Sequence, residues 1–125
     1  MYTTKNFNPL VDIKLSCTCG KPECDKRTVN RATLNKLQVL RDLLNMPVIV
    51  TSGGRCPNHH NEVHRSKPAD HQNCIGVDIA FKNEVHRNLI MLNAVKAGFT
   101  AIACGKTFVH VGNRPQEHIT TWSYK

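Results

Sequence analysis

Residues 52–73 form a 22-residue stretch with two prolines, two glycines and almost no apolar periodicity. A segment of that length without secondary structure is uncommon inside a compact domain and is usually functional. It constrains the fold, because the rest of a 125-residue chain must supply a core able to carry it. A chain of this size removes roughly two-thirds of its unfolded surface from water, enough for a single modest core. No repeat, linker or low-complexity tract interrupts the sequence, so residues 1–125 are expected to form one domain.

The flanking segments have readable periods. Leu34, Leu37, Leu40 and Leu44 recur at three- and four-residue steps and predict a helix of about 15 residues. Thr28 or Asn30 can cap its start, and Pro47 stops it. Residues 48–51 are β-branched and short, hence a strand. Beyond the loop, Ile75, Val77, Ile79 and Phe81 alternate with Gly76, Asp78 and Ala80, which predicts a second strand. Asn83 caps a second helix whose expected buried stripe is Val85, Leu89, Leu92 and Val95, with Gly98 at its end. Further strands are expected near residues 100–104 and 107–111. The tail, residues 113–125, is polar apart from Ile119, Trp122 and Tyr124. This mixture predicts an α+β fold, a small antiparallel sheet packed on helices.

Seventeen Lys and Arg against nine Asp and Glu leave a formal charge of +8 at pH 7. That excess favours a polyanionic partner: nucleic acid, an anionic membrane surface or a bacterial wall. The first ten residues lack the run of roughly seven apolar residues that a secretory signal needs. No stretch approaches the ~20 apolar residues that span a bilayer. In a reducing compartment, six cysteines act as ligands or core filler more readily than as a disulfide framework.

Asp78 is expected on the strand face opposite Ile75, Val77 and Ile79. A lone carboxylate between β-branched residues is costly to desolvate unless paired, hydrogen-bonded or bound to a cation. His71 stands seven residues earlier at the end of the long loop, where a turn can fold it back beside Asp78. His110 lies on the predicted strand Thr107-Phe108-Val109-His110-Val111-Gly112. Taken alone, it also reads as a satisfied structural histidine. Two histidines and a carboxylate at strands or strand edges are the donor set of a catalytic zinc site, in which three protein ligands leave a fourth position to water.

His71-Gln-Asn-Cys-Ile-Gly-Val-Asp78 resembles the S-x-H-x-x-G-x-A-x-D signature of the zinc D-Ala-D-Ala carboxypeptidase and L-alanyl-D-glutamate peptidase family. Ser52-Gly53-Gly54-Arg55-Cys56-Pro57, followed by Asn61, is similar to its S-G-Y-R-[SC]-P…N stretch. Phe108-Val109-His110-Val111 resembles its third-ligand strand, and Trp122-Ser123-Tyr124 a frequent C-terminal ending. Ser16-Cys17-Thr18-Cys19-Gly20 matches a C-x-C-G segment of small phage-type members. The resemblance implies a hedgehog/DD-peptidase-like fold and an endolysin-like zinc metallopeptidase, carboxypeptidase or endopeptidase. It implies that His71, Asp78 and His110 bind a catalytic Zn2+. Arg55 would reach the substrate carboxylate or polarise the scissile carbonyl, as a guanidinium fork can; a structural salt bridge is its other reading. The implied partner is a peptidoglycan stem peptide, with no nucleic acid, no membrane span and a monomeric chain. A phage protein without a signal peptide would remain in the host cytoplasm until released to the wall. Cleavage of L-Ala-D-Glu, D-Ala-meso-diaminopimelate and terminal D-Ala-D-Ala all stay open.

The chain also departs from that pattern. The acidic general base expected three residues before the third ligand is Thr107, and the Asp of an alternative H-x-D is Gly112. The Ser before the first ligand is Ala69, and the Gly between ligands is Cys74. The base is therefore unassigned, with Asp70, His64, Glu117 and His118 as candidates by proximity. Its absence favours a second reading, a weak or inactive metal-binding protein of the same fold in a virion or on the wall. Cys17, Cys19, Cys24 and Cys56 could hold a second, structural zinc, remain reduced buried thiols or pair as disulfides. Cys104 reads as core filler, and Cys74 as a loop residue rather than a ligand. A zinc-ribbon-like nucleic-acid binder is a third reading. Scattered basic residues, the absence of C-x-x-C pairs and few aromatics for stacking argue against it.

Overall fold

The computed structural model describes residues 1–124. After a 3-10 turn, Ile13–Leu15, come α1 (Arg31–Leu44), β1 (Val50–Ser52), β2 (Gly76–Ala80), α2 (Glu84–Ala97), β3 (Ala101–Cys104), β4 (Phe108–Gly112) and β5 (Thr120–Ser123). The five strands form one sheet in the order β1-β2-β4-β3-β5. Its pairs are antiparallel except β3 with β5, which run parallel. The fold is therefore α+β, as the sequence predicts, with one departure from antiparallel pairing.

The expected caps at Asn30, Asn83 and Gly98 are all present. Asn30 caps α1 by accepting from the Thr33 amide at 3.0 Å, so Asn30 and not Thr28 starts it. The helix stops earlier than Pro47 would require, because Asn45 turns left-handed at φ 52°. Leu34, Leu37, Leu40 and Leu44 are all buried. The first strand also begins later than expected, at Val50.

The expected stripe on α2 is wrong. Val85, Leu89, Leu92 and Val95 are 69, 39, 52 and 44% exposed, whereas His86, Ile90 and Ala94 are buried. The helix carries apolar residues on two overlapping faces, and packing selects one. Ala94, with no bulk beyond Cβ, lets α2 approach α1 and the sheet closely. His86 is accommodated because its Nδ1 accepts the Lys82 amide at 3.0 Å, while its Nε2 has no partner among the described residues.

The sheet has two distinct faces. Val77, Ile79, Val109, Val111 and Ile102 join the leucines of α1, Ile90 and Phe99 in the core. The other face carries a row running straight across the strands. Ser52 pairs with Asp78, Asp78 with His110, His110 with Ala103 and Ala103 with Trp122. Cross-strand partners project to the same side, so these five side chains share the face covered by the long loop. A register irregularity between Val50 and Ser52 aims Ser52 at this face.

The polar tail, for which the sequence predicts no element, holds a strand. Its Thr-Thr-Trp-Ser segment adds β5 to the edge of the sheet and puts Trp122 in the row. Cys104 is only half-buried at the end of β3 and does not fill core. Among the described residues, no helix is long and apolar enough to cross a membrane.

Candidate metal centre and active site

Residues 53–73 form loops and isolated turns that fold back over the sheet and place His71 beside Asp78. The Asn73 amide donates to Ala69 O at 3.0 Å, and the Ile75 amide to Asp70 O at 3.0 Å. These bonds close a tight turn around His71 immediately before β2. His71 Nδ1–H then donates to Gly53 O at 2.7 Å, which leaves Nε2 facing Asp78 Oδ1 at 3.2 Å. A carbonyl oxygen can only accept, so this contact sets the tautomer.

His110 is fixed in the same manner from the other side. Its Nε2–H donates to Asp70 Oδ2 at 2.8 Å, and its Nδ1 lies 2.9 Å from the same Asp78 Oδ1. Asp70 is held in turn by Arg114 Nε at 2.9 Å. Arg114 stacks its guanidinium 4.8 Å from the Trp122 ring centre, and Trp122 lies 5.5 Å from the His110 ring. Ala103, between them in the row, is small enough to permit that contact.

Electrostatics follow from this geometry. Burial alone would raise the Asp78 carboxyl, but the contacts from His110 and His71 overcome it and hold the group well below the usual carboxylate range. Burial also opposes ionisation of Asp70, and His110 and Arg114 prevail, so it too is lowered. Burial disfavours a charged His110, yet Asp70 and Asp78 together raise it.

The donor set fits a divalent cation. The ligand atoms of His71, Asp78 and His110 all lie within 4.8 Å of one another, and all three residues are buried. Two imidazole nitrogens directed at one carboxylate oxygen need a positive charge between them, from a proton or a metal. Both outer nitrogens are occupied by partners that hold the rings in place, as zinc-binding histidines usually are. Two nitrogens and a carboxylate suit zinc better than magnesium or calcium.

Arg55 does not stand free. It donates to Ser52 Oγ at 3.0 Å, to Glu62 Oε2 at 3.2 Å and to Asp78 Oδ2 at 3.4 Å. The salt-bridge reading of this residue is therefore realised, while Arg55 still lines a cavity of about 280 Å³ with His64, Arg65, His71, Asp78 and Tyr124. By holding Oδ2, it leaves Asp78 Oδ1 to the two imidazoles. A second cavity, about 290 Å³, lies on the Asp70, Arg114 and Trp122 side. Arg65, His71 and Tyr124 border both cavities.

A family comparison bears on this centre. The family model described as Peptidase M15 matches residues 6–112. The chain belongs to the Peptidase M15 family. This is a family of zinc metallopeptidases, and the match spans the loop, β2 and the His110 strand. No curated relative and no solved structure shows significant similarity to the chain.

Of the four candidate bases, only some reach the centre. Glu117 and His118 are exposed and line neither cavity. Asp70 is engaged on the outer nitrogen of His110 and by Arg114. His64 is exposed and borders the Arg55 cavity.

Asp70 also accounts for Gly112. A Cβ built on Gly112 would lie 2.5 Å from Asp70 Oδ2, so the loop carboxylate fills the space a side chain at 112 would need. Sequence reasoning missed three further members of the site. Glu62, 2% exposed, is held by Arg55, Arg65 and Gln72. Arg114 and Trp122 come from the tail. A Trp and an Arg in an otherwise polar ending were the available signal. Cys74 adopts φ 62° and lies outside both clusters of potential ligands, as its loop reading requires.

Proposed function

We propose that the chain hydrolyses an amide bond in the peptidoglycan stem peptide, with His71, Asp78 and His110 holding the catalytic zinc. The convergence of three buried donors beneath two adjoining cavities carries this reading. Zinc in such a site acts as a Lewis acid on a carbonyl and lowers the pKa of water toward neutrality. The chain's own residues do the rest. Gly53 O and Asp70 fix the two rings, and Arg55 fixes the carboxylate. The loop residues Arg55 and Arg65 and the tail residue Arg114, each paired with a buried carboxylate, put guanidinium N–H donors on the cavity rims that suit the carboxylates of a stem peptide. Cavities on both sides of His71 favour a substrate that continues past the scissile bond in each direction.

His64 is the proposed general base. Of the four candidates it borders the Arg55 cavity and has no carboxylate or guanidinium engaging it among the described residues, and an imidazole nitrogen can accept a proton from the attacking water. Asp70 is a positioning residue: it takes the place that the H-x-D pattern gives to an aspartate at 112, but it acts on His110. We further propose that residues 1–125 form a single domain that acts as a monomer in the manner of an endolysin, reaching the wall after release from a host cytoplasm.

Purified zinc-loaded protein should cleave muropeptides and lower the turbidity of permeabilised Gram-negative cells. His110→Ala should abolish cleavage and remove the zinc of this centre. A wild-type protein that binds zinc here but cleaves no muropeptide would favour the non-catalytic, wall-binding reading, which the missing acidic residue at 107 supports.

A further inference from the structure

A second group of soft donors lies apart from the histidine centre. Residues 16–28 leave the 3-10 turn and return on themselves. Ser16 and Thr28 form an isolated antiparallel bridge, and the Cys17 amide donates to Arg27 O at 3.0 Å. Within this knuckle, left-handed backbone at Gly20 (φ 72°) and Lys26 (φ 53°) makes two sharp turns. Those turns direct Cys17, Cys19 and Cys24 at Cys56, which follows Arg55 in the long loop. The four sulfur atoms all lie within 4.8 Å of one another, and Cys19 Sγ and Cys56 Sγ are 3.5 Å apart.

We propose that Cys17, Cys19, Cys24 and Cys56 together bind one structural zinc ion as thiolates. Tetrahedral zinc with Zn–S bonds of about 2.3 Å places its sulfurs roughly 3.8 Å apart, close to the observed spacing. A disulfide requires about 2.05 Å between two sulfurs and leaves no reason for four to converge. Cys56 is fully buried and Cys17 is 6% exposed, so these are not surface thiols. The Lys26 amide donates to Cys24 Sγ at 3.3 Å, which holds that side chain in the cluster. Little else orders this knuckle. Residues 18–26 are exposed or half-buried and contribute nothing to the main core.

The ion would act on the active site through the backbone. The Gly54 amide donates to Leu15 O at 3.1 Å, and a Cβ on Gly53 would lie 2.6 Å from that oxygen. Arg27 NH1 donates to Gln72 O at 2.9 Å. Leu15 of the 3-10 turn and Arg27 of the knuckle thus pack against Gly53, whose carbonyl orients His71, and Gly54, which precedes Arg55. Clamping Cys56 to the knuckle fixes that segment at two points.

The proposal does not depend on the peptidase reading, and metal counting separates the two. Wild-type protein should carry about two zinc ions per chain. The His71→Ala/His110→Ala variant should retain about one. Reconstituted with cobalt, that variant should show thiolate-to-cobalt charge transfer and the intense d–d bands of a tetrahedral thiolate site. Cys24→Ser should lose those bands and weaken metal retention against a chelator. Wild-type protein with no thiolate-bound metal, whose four thiols react freely with a thiol reagent in the native state, would overturn the proposal. So would a mass deficit of two hydrogens per cysteine pair, which would identify disulfides. Neither result requires a variant that folds.

Discussion

Asp70 decides how His110 is presented, and replacing its charge should show that directly. Asp70→Asn can still accept one hydrogen bond from His110 Nε2, but it cannot offer carboxylate charge to both His110 and Arg114. Loss of an outer partner of this kind weakens metal binding by roughly 10–100-fold. Chelator competition should register that loss at the histidine centre, while the cysteine-bound metal is retained. His64→Ala should behave in the opposite way. If the imidazole takes the proton from water, kcat should fall by about 10²–10⁴, with zinc content and KM nearly unchanged. A variant that keeps full kcat would move the base to another group.

Among the elements, α2 offers the sharpest test of what holds the fold. Ile90 is fully buried in the core, whereas Leu92 is 52% exposed two residues later. Ile90→Ala should cost about 2–5 kcal/mol in denaturant unfolding, and Leu92→Gln should stay within about 0.5 kcal/mol. The stripe read from sequence predicts the reverse for Leu92. That misreading has a physical cause: apolar side chains on α2 satisfy two stripes, and only contact with α1 and the sheet selects between them. By contrast, α1 has one unambiguous leucine stripe, and the alternation in β2 placed Asp78 on the face opposite Val77 and Ile79, as the structure does. His71, Asp78 and His110 were legible because three short motifs mark them, whereas Glu62 was not. A glutamate in a polar loop carries no sign that Arg55, Arg65 and Gln72 will enclose it. Strand β5 was hidden for a related reason: four polar-flanked residues become a strand only when the edge of β3 is there to pair with them.

Across the whole molecule, the buried charges of the histidine centre couple its occupancy to pH. Asp70 and Asp78 ionise below the ordinary value of 3.8, so their contribution to stability is fully present above that pH and is lost as pH falls through the lowered values. His110 is raised above 6.5, so its contribution is fully present below that pH and is lost as pH rises through the raised value. Metal-free protein should therefore melt highest between about 3.8 and 6.5 and decline on either side. Zinc needs the unprotonated imidazole, so it competes with the proton that stabilises the empty site. The rise in melting temperature on adding zinc should grow as pH climbs through the raised His110 value. His110→Gln should remove the alkaline decline of the metal-free protein and the histidine centre's share of the pH-dependent zinc response, leaving the share of the thiolate site, which also releases protons on binding. The cysteine-bound metal then remains as a background common to both proteins. Thermal melts of metal-free protein from about pH 2 to 9, and of zinc-loaded protein from about pH 5 to 9, test this. A metal-free protein whose melting temperature keeps rising through neutrality would show that His110 carries no proton between Asp70 and Asp78.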